Sequence, residues 1–162
     1  MVEGNERNII HMIFKHYQAD YPRFSNRWIY TGGDSINMTK LIIVGRDRLA
    51  ESLLECAEKH SGRQTGVYPL DAKPGDSGVI FAREFEFLLD NLQGDKLVLL
   101  DADRGPHPSL YRRYCWRPDI KFVCGVNLRM LLDILRLRQR GLELNTLAAV
   151  AVCRGRRSIR TM

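Results

Sequence analysis

Hydrophobic and polar residues follow two rhythms along this chain, and together they predict its secondary structure. Short continuous apolar runs are typical of buried strands, and apolar positions three or four residues apart are typical of amphipathic helices. Strands are predicted at 40–44, 65–70, 95–101 and 119–125, with a last short strand at 157–162. Helices are predicted at 48–60, 78–92, 110–115, 127–140 and 142–155. Because strands and helices alternate with short connections, we expect an α/β fold, a doubly wound and mainly parallel sheet with helices on both faces.

The first 37 residues do not share this alternation. Residues 5–19 carry a broad apolar stripe at helical spacing, and the following residues, rich in Pro, Gly, Ser and Asn, read as a linker. We therefore predict an N-terminal extension over 1–37 and one α/β domain over 38–162. One hypothesis is that 1–37 is upstream sequence translated from a mis-assigned start, since its composition differs from the rest. The alternative is a genuine amphipathic helix that docks on the domain or on a partner.

Composition narrows the class of protein. The 162 residues are 44% hydrophobic, which is enough for one domain with a real core. No apolar run approaches the roughly 18–20 residues that span a bilayer, and the N-terminus lacks a secretory pattern, so we expect a cytoplasmic protein. The cysteines have no metal-like spacing, and we predict reduced thiols, three of them in the core, and no metal or cofactor. They are Cys56, Cys115, Cys124 and Cys153.

The net charge of +6 raises the prospect of an anionic partner but does not point to nucleic acid. The sequence contains no helix-turn-helix, zinc-finger or aromatic-rich binding motif. Part of the excess charge lies in a basic tail, which we interpret as solvated; its arginines are Arg154, Arg156, Arg157 and Arg160. We therefore predict no nucleic-acid partner.

Function in such a sheet is expected in the loops that follow the carboxyl ends of the strands. Loop 45–48 follows the first predicted strand, loop 102–109 the third and loop 125–127 the fourth. We therefore expect the functional residues to lie in these three loops.

Three segments around these loops resemble one family in both order and spacing. They read KLIIVGRDRLAESLLECAEKHSG, LVLLDADRGPHPS and FVCGVNLRMLLDIL. The first is similar to a strand followed by His-Gly-x-x-Ala, the second to a strand ending in Asp before a Gly-Gly-Ser/Thr-Pro loop, and the third to Gly-Val-Asn-Leu-Pro-Met-Leu-Leu. This is the pattern of the enzyme IIA component of the mannose/fructose/sorbose-type bacterial sugar phosphotransferase system, and the resemblance extends over 38–160.

The resemblance implies a fold, an activity and partners. The fold would be a mainly parallel sheet whose last short strand runs antiparallel to the others, in a homodimer. The family accepts phosphate on a histidine from a histidine phosphocarrier protein and passes it to the IIB component, which phosphorylates the sugar during transport. Contact with the membrane would be only indirect, through the transporter complex.

Carried over residue by residue, the resemblance is incomplete at the reactive position. Arg46 occupies the position of the phosphorylated histidine, whereas Asp101 retains the aspartate that orients it. Gly105 corresponds to a loop glycine of the second motif. Gly125 and Asn127 match the third motif. In that third motif Arg129 replaces the proline.

The substitution changes the chemistry that the crevice can perform. Phosphorylation on nitrogen requires the lone pair of a neutral imidazole, whereas an arginine side chain stays protonated and only donates hydrogen bonds. We therefore expect Arg46 to pair with Asp101 in a closed ion pair rather than to carry phosphate. The leading prediction is a diverged IIA-type domain, a pseudoenzyme with a regulatory or structural role in sugar uptake.

Two alternatives remain open. His107, in the loop after the third predicted strand, could replace the missing histidine as phosphate acceptor. In the other alternative, Arg46, Arg48 and Arg104 converge on an anion beside a helix N-terminus, as in an anion- or nucleotide-sensing module.

Overall fold

The computed structural model describes residues 38–75, 78–102 and 107–161, and for 107–109 the backbone alone. The predicted N-terminal extension over 1–37 lies outside the described residues. So do Arg104 and Gly105 of the second predicted loop.

Four parallel strands form the centre of the domain. They are β1 (Lys40–Arg46), β2 (Val67–Ala72), β3 (Lys96–Leu100) and β4 (Ile120–Cys124), in the spatial order β2-β1-β3-β4. The two central strands, β1 and β3, are buried along almost their whole length, as expected of apolar runs covered on both faces. In the register, Gly45 lies opposite Asp71, and Val44 lies opposite Leu100. The loops after β1 and β3 therefore emerge side by side at one edge of the sheet.

Helices cover both faces of this sheet. They are α1 (Leu49–Ser61), α2 (Gly78–Asn91), α3 (His107–Tyr114), α4 (Leu128–Arg138) and α5 (Leu144–Arg157). Apolar residues of α1, α4 and α5 form one core with Leu41, Leu97 and Val123 of the strands. Phe122 points to the opposite face from Val123 and packs against Phe85 of α2 and Tyr111 of α3. The predicted doubly wound α/β fold is confirmed.

A buried arginine closes the amino-terminal edge of the sheet. Arg138, at the end of α4, is 2% exposed and donates to the carbonyl of Gly66 at 3.0 Å and to that of Thr39 at 3.4 Å. It also donates to the carbonyl of Thr65. Because these carbonyls precede β1 and β2, the guanidinium fastens α4 to the start of both strands.

Two sequence predictions about the fold are wrong. The last strand expected over 157–162 is absent from the described part of that segment, because α5 continues through Arg157 and residues 158–161 belong to no strand. Ser158 then closes the helix by donating its backbone N–H to the carbonyl of Gly155. The cysteines are not core thiols, since all four are exposed. On α1, for example, Cys56 points outward while the adjacent Ala57 is fully buried.

No helix in the described ranges is long and apolar enough to cross a membrane.

Candidate functional site

The loop after β1 turns sharply into α1. Asp47 and Arg48 have φ values of 51° and 71°, in the left-handed region that residues other than glycine rarely occupy. The backbone N–H of Asp47 donates to the carbonyl of Ala72, so the turn also remains fastened to β2. This turn brings the strand end and the helix start close together at the crevice.

Arg46 and Asp101 meet across the ends of β1 and β3. Arg46 Nε donates to Asp101 Oδ2 at 3.0 Å, and the other carboxylate oxygen accepts from the backbone N–H of Ala102 at 2.6 Å. The Asp101 side chain is 7% exposed, whereas that of Arg46 is 47% exposed. The contact that the sequence predicts between these two residues is present, and together with the N–H of Ala102 it engages both oxygens of the carboxylate.

Arg48 does not join this pair. Its Nε donates to Glu51 Oε2 at 2.9 Å, one turn along α1, and its side chain is 72% exposed. The neighbouring Glu51 carboxylate raises the pKa of Arg48 above its usual value. The guanidinium is therefore directed along the outside of the helix.

A third carboxylate, which the sequence analysis missed, caps the start of α1. Asp71 lies at the end of β2, and its oxygens accept from the backbone N–H groups of Ala50 at 2.8 Å and Glu51 at 3.0 Å. Burial raises the pKa of Asp71, while the two backbone hydrogen bonds act in the opposite direction. The amino terminus of α1, which an external anion would otherwise approach, is thus occupied by a carboxylate of the chain itself.

Gly45 makes this cap possible. A Cβ atom built at Gly45 would lie 2.6 Å from Asp71 Oδ1 and 2.8 Å from the backbone nitrogen of Ala50, which is closer than real contacts allow. The signal in the sequence was an aspartate directly after a predicted strand and a glycine directly after another, but only the register that pairs them reveals the cap.

The residues of the third loop have local structural roles. Gly125 has a φ of +84°, and both its N–H and that of Val126 donate to the carbonyl of Leu100 at 2.9 Å. Asn127 caps α4, since its Oδ1 accepts from the backbone N–H of Met130 at 2.9 Å. The Gly-Val-Asn motif therefore forms the turn and the cap that join β4 to α4.

The remaining candidates lie at or beyond the limits of the described residues. His107 is the first residue of α3, and its side chain is outside them, as are all of Arg104 and Gly105. Among the described side chains, no group of three His, Cys, Asp or Glu residues is placed to hold a metal ion. The site that can be built from the described residues thus consists of Arg46, Asp101 and the Asp71 cap.

This fold is a parallel α/β domain of the kind found in solved IIA proteins. The phosphotransferase system component EIIA of Streptococcus agalactiae superposes with a TM-score of 0.69 at 23% identity, over 76% of this chain and 97% of that one. The mannose/sorbose-specific IIA subunit of Enterococcus faecalis superposes with a TM-score of 0.62 at 25% identity, over 77% of this chain and 95% of that one.

Sequence comparison points the same way. The chain is 29% identical over 129 residues to the mannose-specific EIIAB component of the phosphotransferase system of Escherichia coli, which covers 77% of this chain and 40% of that protein. It therefore spans about two fifths of the length of the curated relatives it matches. No model of a protein family matches the chain. The chain is a relative of the IIA components of the mannose-type sugar phosphotransferase system, and the resemblance predicted from its three motifs is confirmed.

Proposed function

We propose that this chain is a diverged IIA-type component of a phosphoenolpyruvate-dependent sugar phosphotransferase system that does not carry phosphate in its crevice. Its role would be regulatory or structural within sugar uptake. The observation that carries the proposal is the bond of 3.0 Å from Arg46 Nε to Asp101 Oδ2. It lies where the resemblance implies an aspartate orienting a phosphorylated histidine.

The Arg46–Asp101 pair changes the chemistry of the crevice more than it changes the stability of the fold. A half-exposed ion pair such as this one contributes roughly 0–1 kcal/mol to stability, so it does not serve mainly to hold the fold. Its consequence is that Asp101 has its two carboxylate oxygens engaged by Arg46 and by the N–H of Ala102. A guanidinium has no lone pair with which to attack phosphorus, and so the arrangement offers no acceptor at this position.

The proposed partners follow from the relatives. A domain that keeps the IIA fold can keep the surface that contacts the IIB component and the histidine phosphocarrier protein, and it would then bind them without exchanging phosphate. Arg46 would present a fixed positive charge where a working protein alternates between neutral and negative. We also propose a cytoplasmic homodimer, as the resemblance implies, and sedimentation equilibrium would measure that state.

An anion-sensing role for the same crevice is less well supported. It requires Arg48 to turn inward, but its guanidinium is paired with Glu51 at 2.9 Å. It also requires a vacant helix terminus, whereas Asp71 already accepts from the first N–H groups of α1. A sensing role would therefore have to break two existing contacts.

Phosphoryl transfer from labelled phosphoenolpyruvate through the general phosphotransfer proteins tests the proposal. We expect no label on the wild-type chain under conditions that label the Escherichia coli mannose-specific relative. Label that disappears in the His107→Ala variant would replace the proposal with the alternative acceptor. Label that survives in His107→Ala would overturn it as well, by locating an acceptor elsewhere in the chain.

A further inference from the structure

A polar cleft lies between the carboxyl-terminal part of α1 and the length of α4. Its volume is about 510 Å³, within the range of roughly 300–1,000 Å³ that is typical of small-molecule sites. The polar side chains that line it include His60, Gln64, Arg129, Asp133, Arg136 and Gln139. None of these residues belongs to the Arg46 crevice.

The charges around the cleft are unbalanced toward positive. Asp133 is its one lining carboxylate within the described ranges; it accepts from Arg129 Nε at 3.2 Å, and Arg154 Nε lies 3.9 Å away. Arg136 forms no ion pair with any described residue, although it lines the same space. Arg154 does not line the cleft, so two guanidiniums and one carboxylate do, which leaves an excess of one positive charge. A phosphate monoester is an anion that this positive excess attracts and that guanidiniums bind through charge-assisted hydrogen bonds.

One of these positive charges, that of Arg129, is a departure from the IIA sequence pattern. It stands where the third motif of the IIA pattern has a proline, at the second residue of α4. The same departure that weakens the resemblance thus adds a cation to the cleft wall.

The other lining groups suit a hydroxylated molecule. The Gln64 amide nitrogen donates to the carbonyls of Ser61 and Gly62 at 3.2 and 3.0 Å, so its position is fixed while its oxygen remains available to accept a hydroxyl. Gln139 supplies a second amide, and Leu132 supplies an apolar surface against which the C–H face of a sugar ring can pack. Guanidiniums, amides and a carboxylate around one apolar wall are the groups that bind a phosphorylated polyol.

We propose that this cleft binds a phosphorylated monosaccharide, with Arg136 and Arg129 on the phosphoryl group and the amides on the hydroxyls. The proposal does not depend on whether the Arg46 crevice carries phosphate, because the two sites share no residue. Binding here would give a domain that passes on no phosphate a way to sense a phosphorylated sugar.

Isothermal titration calorimetry on the full chain tests the proposal with glucose 6-phosphate, fructose 6-phosphate and mannose 6-phosphate. Neutral glucose and inorganic phosphate are the comparison ligands. We expect saturable binding of at least one sugar phosphate. Each comparison ligand should bind at least about tenfold more weakly, a difference of about 1.4 kcal/mol. Absence of saturable binding by all three sugar phosphates at millimolar concentration would overturn the proposal.

Substitutions of the two lining arginines test whether the sugar phosphate binds in this cleft. Arg136→Gln and Arg129→Gln should each weaken the sugar phosphate by about tenfold or more. Arg140→Gln is the matched control, since Arg140 is an exposed arginine just beyond the end of α4 that does not line the cleft. It should change the affinity by less than about twofold. Equal weakening by Arg140→Gln and Arg136→Gln would contradict a defined site and indicate diffuse attraction to a basic surface. Circular dichroism of each variant verifies that the fold is retained.

Discussion

Asp71 and Ala50 join the end of β2 to the first turn of α1, because Asp71 Oδ1 accepts the Ala50 backbone N–H at 2.8 Å. The helix lacks a cap of its own, since Arg48 at the N-cap position is left-handed and its side chain accepts no hydrogen bond from a backbone N–H of the helix. Asp71, which lies 21 positions after Ala50 in the chain, caps the helix instead. The crevice loop is thus held in place by its neighbouring strand.

Removing this cap should destabilise the domain. Asp71→Ala leaves two helix N–H groups without their acceptors, and we expect the free energy of unfolding to fall by about 2 kcal/mol. Asp71→Asn should lose only part of this free energy, because the remaining amide oxygen can still accept one of the two backbone hydrogen bonds. Urea denaturation measures both changes. Asp90→Ala is the control at an exposed aspartate on α2, and a loss as large there would contradict a specific role for the cap.

Gly45 should tolerate no side chain while the cap is present. We expect Gly45→Ala to cost about 1–3 kcal/mol, because its methyl group would lie 2.6 Å from Asp71 Oδ1. Gly78→Ala, where a Cβ would meet nothing within 4 Å at the start of α2, should be neutral or slightly stabilising.

A double variant separates steric conflict from other effects at Gly45. In the Asp71→Ala background the carboxylate is absent, so Gly45→Ala should cost less than it does in the wild type. Equal costs in the two backgrounds, measured by the same urea titrations, would show that the clash with Asp71 is not the cause.

Part of this site could be predicted from the sequence because parallel strands end at the same edge of a sheet. Arg46 and Asp101 each follow a clear apolar run, and if those two strands are neighbours the side chains must lie close together. The Asp71 cap could not be predicted in that way. It depends on the register that sets Gly45 opposite Asp71, which is a property of the paired strands rather than of either segment.

The end of α5 could not be predicted from the sequence, for a different reason. The sequence predicts a helix over 142–155 and a last strand over 157–162. Instead Gly155 is buried in α5, where a Cβ would clash with Met130 Cε, so it serves close packing against α4. A glycine near the end of a helical pattern predicts a stop, and only the neighbouring helix reveals that it allows an approach.

Arg138 should be indispensable for stability. Arg138→Met would leave the carbonyl of Thr65 without its guanidinium donor and the carbonyl of Gly66 with only the N–H of Leu41, and we expect a loss of about 3 kcal/mol. Arg140→Met, at an exposed arginine two residues later, should change the stability by less than about 0.5 kcal/mol. Thermal and urea unfolding measure both, and similar losses for the two variants would contradict the assigned role.

Acid should weaken the ion pairs that Asp119 forms with Arg117 and Lys96 at the amino edge of β3 and β4. Hydrogen bonds from Arg117 and then from Lys96 lower the pKa of Asp119 to about 2. Because this pKa lies below the unfolded value of about 3.9, the stabilisation is fully present above about pH 4 and is lost as the pH falls toward 2. Solvent reaches this carboxylate, so we expect the contribution to be below about 1 kcal/mol.

The pH dependence of unfolding verifies that effect. Asp119→Asn should flatten the fall in stability between about pH 4 and pH 2, relative to the wild type. An unaltered acid profile in Asp119→Asn would show that this carboxylate is not held in its ionised form by the fold.

Intact-protein mass spectrometry shows whether the Arg46–Asp101 pair stands in place of a phosphorylated histidine. The full chain would be incubated with phosphoenolpyruvate and the general phosphotransfer proteins, and kept at alkaline pH to preserve any phosphohistidine. We predict a single species at the unmodified mass, with the Escherichia coli relative phosphorylated in a parallel reaction. A stoichiometric species heavier by one phosphoryl group would show that the chain still accepts phosphate.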